Sequence, residues 1–208
     1  MPTPTDVTFY FDPSCPWTWM TSRWLVDAAG QTGTEVEWRS LSLGVLNAGR
    51  EIPEQYLAPM DAAKGVHRVM AALRAAGRND LIGELYGEYG RRTFLGGAAG
   101  SAELVRDVVQ AVGAGEWAPA ADDASFDAAI EASTAEALEL AGPDIGSPVL
   151  AWGEPRQGVF GPIVSPSPTG ADAVALLEHV VALRQLPGVY EVKRGRRSGP
   201  DFARSDRP

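Results

Sequence analysis

A β-α-β unit in the first forty residues is the feature that most constrains the fold. Residues 7–11 form a run of β-branched and aromatic side chains that ends at Asp12-Pro13, which predicts a buried strand. Apolar residues then recur at helical spacing over 16–28, and Gly33 marks the end of this helix. Residues 35–41 alternate polar with mostly apolar side chains, as in a half-exposed strand. Two strands joined through a helix in this way are naturally parallel.

The remainder of the chain adds a helical region and a second pair of strands. Residues 53–142 contain Ala-rich helical segments separated by glycines, without a convincing strand. Strand-like pieces follow at about 149–152 and 158–161, and the Gly and Pro between them predict an antiparallel hairpin. A final helix spans about 171–186. This order predicts an α/β protein with a thioredoxin fold and an all-helical insertion after the second strand.

Length and charge restrict the class of protein. The 208 residues predict one domain, 1–208, with the helical insertion at about 53–142. With 27 Asp+Glu against 18 Lys+Arg, the net charge of −9 disfavours nucleic acid and anionic membranes as partners. No stretch approaches the roughly 18 unbroken apolar residues of a membrane helix, and no export signal is recognisable. A single cysteine allows no internal disulfide, so we expect a reducing, cytoplasmic location.

One basic segment departs from this acidic balance. Residues 193–197 read Lys-Arg-Gly-Arg-Arg. Such a run can bind an anion or contact an acidic surface, but it is more commonly a solvated tail. We therefore expect a solvated tail.

The single cysteine, Cys15, lies where the first strand passes into the first helix. Pro16 would then occupy the first helical position, for which proline is well suited. Unpaired N–H groups and the helix dipole at such a position favour a thiolate, so we expect the pKa of Cys15 to be lowered. Thr18 lies one turn along the same face, and its hydroxyl is placed to hydrogen-bond the sulfur. The alternatives are a buried, inert cysteine and an ordinary first-turn threonine.

Other candidate groups give weaker signals. Ser147-Pro148 precedes a strand after a glycine-bearing loop, and only X–Pro bonds adopt the cis form readily. His67, in a helix of the insertion, is either a proton donor in a cleft or a surface or core residue, and His179 is expected to be structural. No spacing of His, Cys, Asp and Glu indicates a metal site, and no glycine-rich loop indicates a nucleotide cofactor.

Several stretches together resemble a known family. They run in order along nearly the whole chain: Phe11-Asp12-Pro13-Ser14-Cys15-Pro16-Trp17, Thr21-Ser22-Arg23-Trp24, Ser42-Leu43 with Leu46-Asn47, Pro53-Glu54-Gln55-Tyr56, Gly146-Ser147-Pro148, Phe160-Gly161-Pro162 and Glu191-Val192-Lys193-Arg194. The chain resembles the DsbA-like branch of the thioredoxin superfamily, and within it the actinobacterial mycothiol-dependent nitroreductases.

This resemblance implies a set of site residues. It implies a thiolate at Cys15, a cis Pro148 packed beside it, and a Ser147 backbone that pairs with a bound thiol or peptide like an added strand. It also implies that Trp17 forms a wall of the substrate pocket. The predicted catalytic residues are Cys15 and Thr18, and the predicted thiol- and substrate-binding residues are Pro16, Trp17, Asn47, Tyr56, Ser147 and Pro148. For Asn47 and Tyr56, a capping or packing role is the alternative.

Position 18 departs from the family pattern. The family's usual motif is Cys-x-x-Cys, but Thr18 stands at the second position and no other cysteine is present. A dithiol cycle within one chain is therefore excluded. Disulfide exchange on one thiol remains possible if a small thiol performs the second step, and the resemblance implies mycothiol. We expect a monothiol oxidoreductase acting on a disulfide or a small electrophile, as a monomer or homodimer.

Two other functions remain open. One is a thiol transferase or isomerase similar to kappa-class glutathione transferases and hydroxychromene-carboxylate isomerases, in which Cys15 stabilises the thiolate of a bound thiol. The other is a non-catalytic binding protein that kept the pocket without a resolving cysteine.

Overall fold

A four-stranded mixed sheet forms the centre of the protein in a computed structural model that describes residues 4–202. The strands are β1 (Asp6–Phe11), β2 (Glu35–Ser40), β3 (Val149–Trp152) and β4 (Gln157–Phe160), in the order β2-β1-β3-β4. β1 is parallel to β2 and antiparallel to β3, and β3 and β4 form an antiparallel hairpin. The predicted parallel pair and the predicted hairpin are both confirmed.

Seven α-helices accompany the sheet within the described residues. They are α1 (Pro16–Thr32), α2 (Leu43–Leu46), α3 (Leu57–Ala75), α4 (Asn79–Gly90), α5 (Ala102–Ala111), α6 (Asp127–Ala141) and α7 (Ala171–Arg184). Shorter helical turns lie at Glu54–Tyr56, Arg91–Leu95, Gly115–Asp122 and Ala124–Phe126. The chain between β2 and β3 is therefore helical, as predicted. None of the described helices is long and apolar enough to cross a membrane.

β1 pairs with a strand along each edge, and apolar clusters cover both of its faces. Phe9 and Phe11 face a large apolar cluster, where the ring of Phe11 stacks on that of Tyr86 with centroids 3.9 Å apart. Tyr10 points to the opposite face and packs in a smaller cluster with Leu41 and Ala137. Continuous apolar and aromatic side chains in 7–11 are thus explained by burial on both faces of the sheet.

Two contacts fix α1, which carries the cysteine at its start. The indole Nε1 of the fully buried Trp24 donates to the carbonyl of Ala173 on α7 at 2.9 Å. At Gly90, at the end of α4, a Cβ atom would collide with the indole of Trp19, so glycine is what allows α4 to approach α1 closely. α1 is therefore held against α7 through Trp24 and against α4 through Trp19.

Candidate active site

Cys15 is the N-cap residue of α1, immediately after the turn that follows β1. Its φ of −89° and ψ of 110° are extended, and Pro16 occupies the first helical turn as predicted. The N–H of Cys15 donates to the carbonyl of Asp12 at 3.2 Å, and its own carbonyl accepts the N–H of Trp19 at 3.1 Å. The residue is partly exposed. The turn thus places Cys15 at the start of α1, with its backbone hydrogen-bonded on both sides.

The structure brings Thr18 and Ser147 together beside Cys15. Thr18 is fully buried, and its hydroxyl donates to Oγ of Ser147 at 3.0 Å. The same Oγ accepts the backbone N–H of Asp12 at 2.9 Å, so Ser147 joins the loop before β3 to the turn before α1. The Ser147–Pro148 peptide bond is cis. The two predicted motifs, 129 residues apart between Thr18 and Ser147, therefore meet in one site.

The electrostatics of Cys15 differ from the sequence-based expectation. Burial of the thiol group and the negative charge of Asp12 raise its pKa, while the hydroxyl and N–H of Thr18 and the N–H of Trp17 lower it. The raising effects are the larger, so the pKa of Cys15 lies above its ordinary value. The expected lowering was wrong, because donors at the helix start are outweighed by desolvation. At neutral pH Cys15 therefore rests as a thiol.

Replacing Thr18 by valine is expected to raise the pKa of Cys15 further. Valine keeps the shape of threonine but removes a hydroxyl that stabilises the thiolate by a hydrogen bond. The measurement is the pH dependence of Cys15 alkylation by iodoacetamide, and the rate at neutral pH is expected to fall several-fold. Thr18→Ser keeps the hydroxyl and serves as the matched control. Identical profiles for the valine variant and the wild type would show that the hydroxyl acts on Ser147 alone.

A buried carboxylate shapes the turn that precedes Cys15. Asp12 is 1% exposed, and its Oδ1 accepts the N–H and the hydroxyl of Ser14 at 2.7 and 2.6 Å. Its Oδ2 accepts the N–H of Leu43 at 2.6 Å and lies 3.3 Å from Nε2 of His67. One carboxylate thus ties together the turn, the start of α2 and helix α3.

His67 completes this buried group. It is 1% exposed on α3, and its Nδ1 lies 2.9 Å from Oγ of Ser40 at the end of β2. Burial alone would raise the pKa of Asp12, but the hydrogen bond and electrostatic attraction of His67, with those of Ser14 and Leu43, lower it. Asp12 is therefore an ionised carboxylate near Cys15. Sequence reasoning missed its role, since Asp12-Pro13 was interpreted only as the end of a strand.

The remaining predicted binding residues lie in different settings. Trp17 is partly exposed, and the guanidinium of Arg196 lies over its ring, 4.4 Å from the centroid. Asn47 donates from Nδ2 to the carbonyl of Leu43 at 2.9 Å, which is the capping role left open above. Tyr56 is 52% exposed in the turn before α3. Within residues 4–202, no hydrogen bond joins Asn47 or Tyr56 to the Cys15 turn.

The structure also gives the settings of His179, of the basic segment 193–197 and of the possible metal-ligating side chains. His179, for which the sequence predicted a structural role, lies exposed on α7, where Nδ1 contacts the carbonyl of Ala175 one turn earlier. Residues 193–197 are exposed, as expected of a solvated tail, except that Arg196 also contacts Trp17. In the part of the chain that the structure describes, no group of three or more His, Cys, Asp or Glu could hold a metal ion.

Comparison with known proteins identifies the family. The family model described as Rv2466c-like, mycothiol-dependent nitroreductase Rv2466c, matches residues 14–194. The chain belongs to this family. A relative, the uncharacterized protein Rv2286c of Mycobacterium tuberculosis (strain ATCC 25618 / H37Rv), is 31% identical over 197 residues, covering 91% of this chain and 82% of the relative. The matched region includes every predicted site residue, and the sequence-based resemblance to this family is confirmed.

Solved structures confirm the fold. Cytosolic disulfide reductase DsbM from Pseudomonas aeruginosa with GSH has a TM-score of 0.57 at 17% identity, over 86% of this chain and 100% of that chain. A probable DsbA oxidoreductase from Streptomyces coelicolor has a TM-score of 0.55 at 19% identity, and the match covers 85% of this chain and 90% of that chain. A 2-hydroxychromene-2-carboxylate isomerase has a TM-score of 0.55 at 15% identity, and the match covers 85% of this chain and 94% of that chain. The protein is thus a thioredoxin-fold oxidoreductase of the DsbA-like type with a helical insertion after the second strand.

Proposed function

We propose that this oxidoreductase is a monothiol enzyme in which Cys15 exchanges disulfides and a low-molecular-weight thiol, mycothiol, completes each cycle. The observation that carries the proposal is the hydroxyl of Thr18, buried and bonded to Ser147 at the position of the family's second cysteine. Since Cys15 is the only cysteine in the sequence, a mixed disulfide formed on it cannot be resolved from within the chain. An external thiol is therefore required.

The exchange involves two displacements at sulfur. Cys15 first loses its proton to solvent, and its thiolate attacks one sulfur of a substrate disulfide; a new S–S bond forms while the old one breaks, and the departing thiolate takes the electron pair. Cys15 then leaves as a thiolate when an external thiol attacks the mixed disulfide. We assign stabilisation of the Cys15 thiolate in both displacements to the N–H groups of Trp17 and Thr18, and to the Thr18 hydroxyl when it turns its proton from Ser147 to the sulfur. A raised pKa lowers the fraction of Cys15 that is present as thiolate, but it makes that thiolate more nucleophilic.

Several groups near Cys15 support the proposal of a small thiol as partner. Trp17, two residues after Cys15, is partly exposed, and the cis Ser147–Pro148 bond leads into β3. We assign to the Ser147 backbone the pairing of a bound thiol like an added strand, and contacts with the thiol to Pro16, Trp17, Asn47, Tyr56 and Pro148. The family description supports mycothiol, and the DsbM structure holds GSH. A thiol-dependent cycle with one unpaired cysteine supports a cytoplasmic location.

Trapping the mixed disulfide tests this proposal. Incubation with oxidised mycothiol is expected to increase the mass of the intact protein by one mycothiol unit, located on Cys15. Oxidised glutathione is expected to give less adduct than oxidised mycothiol when both are compared at high salt, where attraction to the glutathione carboxylates is screened. Equal adducts with both disulfides would contradict the assignment of mycothiol, and no adduct with either would contradict the monothiol mechanism.

One observation favours a second candidate function. Because the pKa of Cys15 is raised, its neutral thiol can donate a hydrogen bond to the thiolate of a bound thiol, as in a kappa-class-like transferase or isomerase. In that mechanism Cys15 forms no covalent bond, and serine can replace it. Membership in a family of oxidoreductases does not favour the non-catalytic alternative.

A further inference from the structure

The chain after α7 returns to the active site as a strap, here defined as residues 185–202. The strap is attached at its far end, where the ring of Phe202 stacks on that of Phe94 with centroids 5.8 Å apart and planes 11° apart. The ring of Trp19 on α1 lies 6.1 Å from the Phe202 ring. The backbone N–H of Asp201 also donates to Oγ of Ser165 at 2.9 Å. The strap is therefore held at both ends while its middle crosses the start of α1.

Arg196 is the strap residue that reaches the site. Its guanidinium lies 4.4 Å from the centroid of the Trp17 ring, two residues from Cys15. Within residues 4–202, Arg196 has no carboxylate within 4.0 Å, unlike Arg39, Arg68 or Arg156. A guanidinium stacked on a ring keeps its N–H edge available for a carboxylate, which it can bind through two parallel hydrogen bonds.

The distribution of charge along the chain supports a role for Arg196 in binding an anion. The protein has a net charge of −9, so most of its surface repels anions. The strap instead concentrates Lys193, Arg194, Arg196 and Arg197 within five residues. The carboxylate that acts electrostatically on Cys15, that of Asp12, is buried and already accepts hydrogen bonds from its neighbours. Arg196 therefore places a positive charge beside Trp17 on a protein whose net charge is negative.

We infer that Arg196, stacked on Trp17, is a specificity-determining residue that binds a carboxylate on the disulfide substrate of Cys15. The inference rests on the proposed function and names the class of disulfide that Cys15 attacks first: disulfides that carry an anionic group close to the reacting sulfur. Mycothiol, which has no carboxylate, acts in the second displacement and does not use this subsite. In the step concerned, the Cys15 thiolate forms a new S–S bond with the substrate half nearer to it, the original S–S bond breaks, and the other half leaves as a thiolate with the electron pair. Arg196 takes no part in this bond exchange and orients the anionic group.

Two disulfides of different charge test the inference. Dithiobis(nitrobenzoate) carries a carboxylate on each half, whereas dithiodipyridine is neutral, and each releases a coloured thiolate or thione on reaction with Cys15. In Arg196→Gln, the second-order rate constant for the anionic disulfide is expected to fall about fivefold at low salt. The rate constant for the neutral disulfide is expected to change by less than about twofold, because it has no charge to recognise. Arg196→Lys keeps the charge and is expected to retain most of the anionic rate.

A matched variant separates local recognition from net charge. Arg106→Gln removes the same charge from α5, where Arg106 lies 3.8 Å from Asp122, and is expected to leave both rates near those of the wild type. High salt is expected to reduce the effect of Arg196→Gln by screening. Equal changes in the rates with the anionic and the neutral disulfide, or equal losses in Arg196→Gln and Arg106→Gln, would contradict the role of Arg196. Neither result would contradict the proposed function. Failure of wild-type Cys15 to react with either disulfide would overturn the proposed function and the subsite with it.

Discussion

Cys15→Ser is expected to reduce mycothiol-dependent disulfide reduction at least about a thousandfold, the scale of loss seen when a nucleophile is removed. A serine hydroxyl is not ionised near neutral pH and cannot form a disulfide, so the covalent intermediate is lost. The fold should survive, since the Cys15 side chain makes no cap hydrogen bond and the turn is held by Asp12 and Ser147. The measurement is steady-state turnover, with circular dichroism to establish that the variant is folded.

The same substitution distinguishes the two catalytic mechanisms. If Cys15 only donates a hydrogen bond to a bound thiolate, serine can make that bond and activity should stay within about tenfold of the wild type. Cys15→Ala, which can neither react nor donate, is the control and should be inactive in both cases. Substantial activity in the serine variant combined with inactivity in the alanine variant would contradict the monothiol mechanism and favour the transferase or isomerase.

His67→Ala is expected to lower the free energy of unfolding by about 3 kcal/mol, because it leaves the buried carboxylate of Asp12 without its hydrogen bond to Nε2 of His67. The hydrogen bonds from Ser14 and Leu43 remain and limit the loss. Urea denaturation followed by circular dichroism measures the change. His179→Ala is the matched control: that histidine is exposed on α7, and its removal should change stability by less than about 0.5 kcal/mol. Equal effects of the two substitutions would contradict the role assigned to His67.

The pH dependence of the free energy of unfolding tests independently how the buried contact between Asp12 and His67 contributes to stability. The pKa of Asp12 is lowered in the folded protein, so its contribution is fully present above its unfolded value of about 3.9 and is lost as pH falls through the folded value. The difference in stability between the wild type and Asp12→Asn should therefore be constant near neutral pH and shrink in acid. A difference that does not change with pH would show that the negative charge of Asp12 contributes nothing to stability.

Local patterns predicted much of the fold and the centre of the site. The strand at 7–11, the helix from Pro16 and the hairpin near 149–161 follow from hydrophobic periodicity, turn residues and burial on both faces of the sheet. The position of Cys15 at the helix start follows from the same signals. The meeting of Thr18 with Ser147 was expected only through family resemblance, because nothing local links residues so distant in sequence.

The features that were missed depend on tertiary packing. Asp12 and His67 are 55 residues apart, and a lone histidine among apolar helix positions gives no indication of its partner. The raised pKa of Cys15 depends on how completely the thiol is desolvated, which the helix-start argument does not contain. The contact of Arg196 with Trp17 depends on the path of the strap, which is fixed by the aromatic contacts of Phe202 rather than by the basic run itself.

The central claim is that Cys15 begins an exchange that an external thiol must finish, and the resolution of its mixed disulfide tests this most directly. Protein loaded with one mycothiol unit on Cys15 is separated from excess reagent, and its intact mass is followed with and without reduced mycothiol. We expect the adduct to persist alone and to disappear on addition of reduced mycothiol, with equimolar release of oxidised mycothiol and return of the free thiol. Loss of the adduct without added thiol, or an adduct that reduced mycothiol cannot remove, would contradict the account.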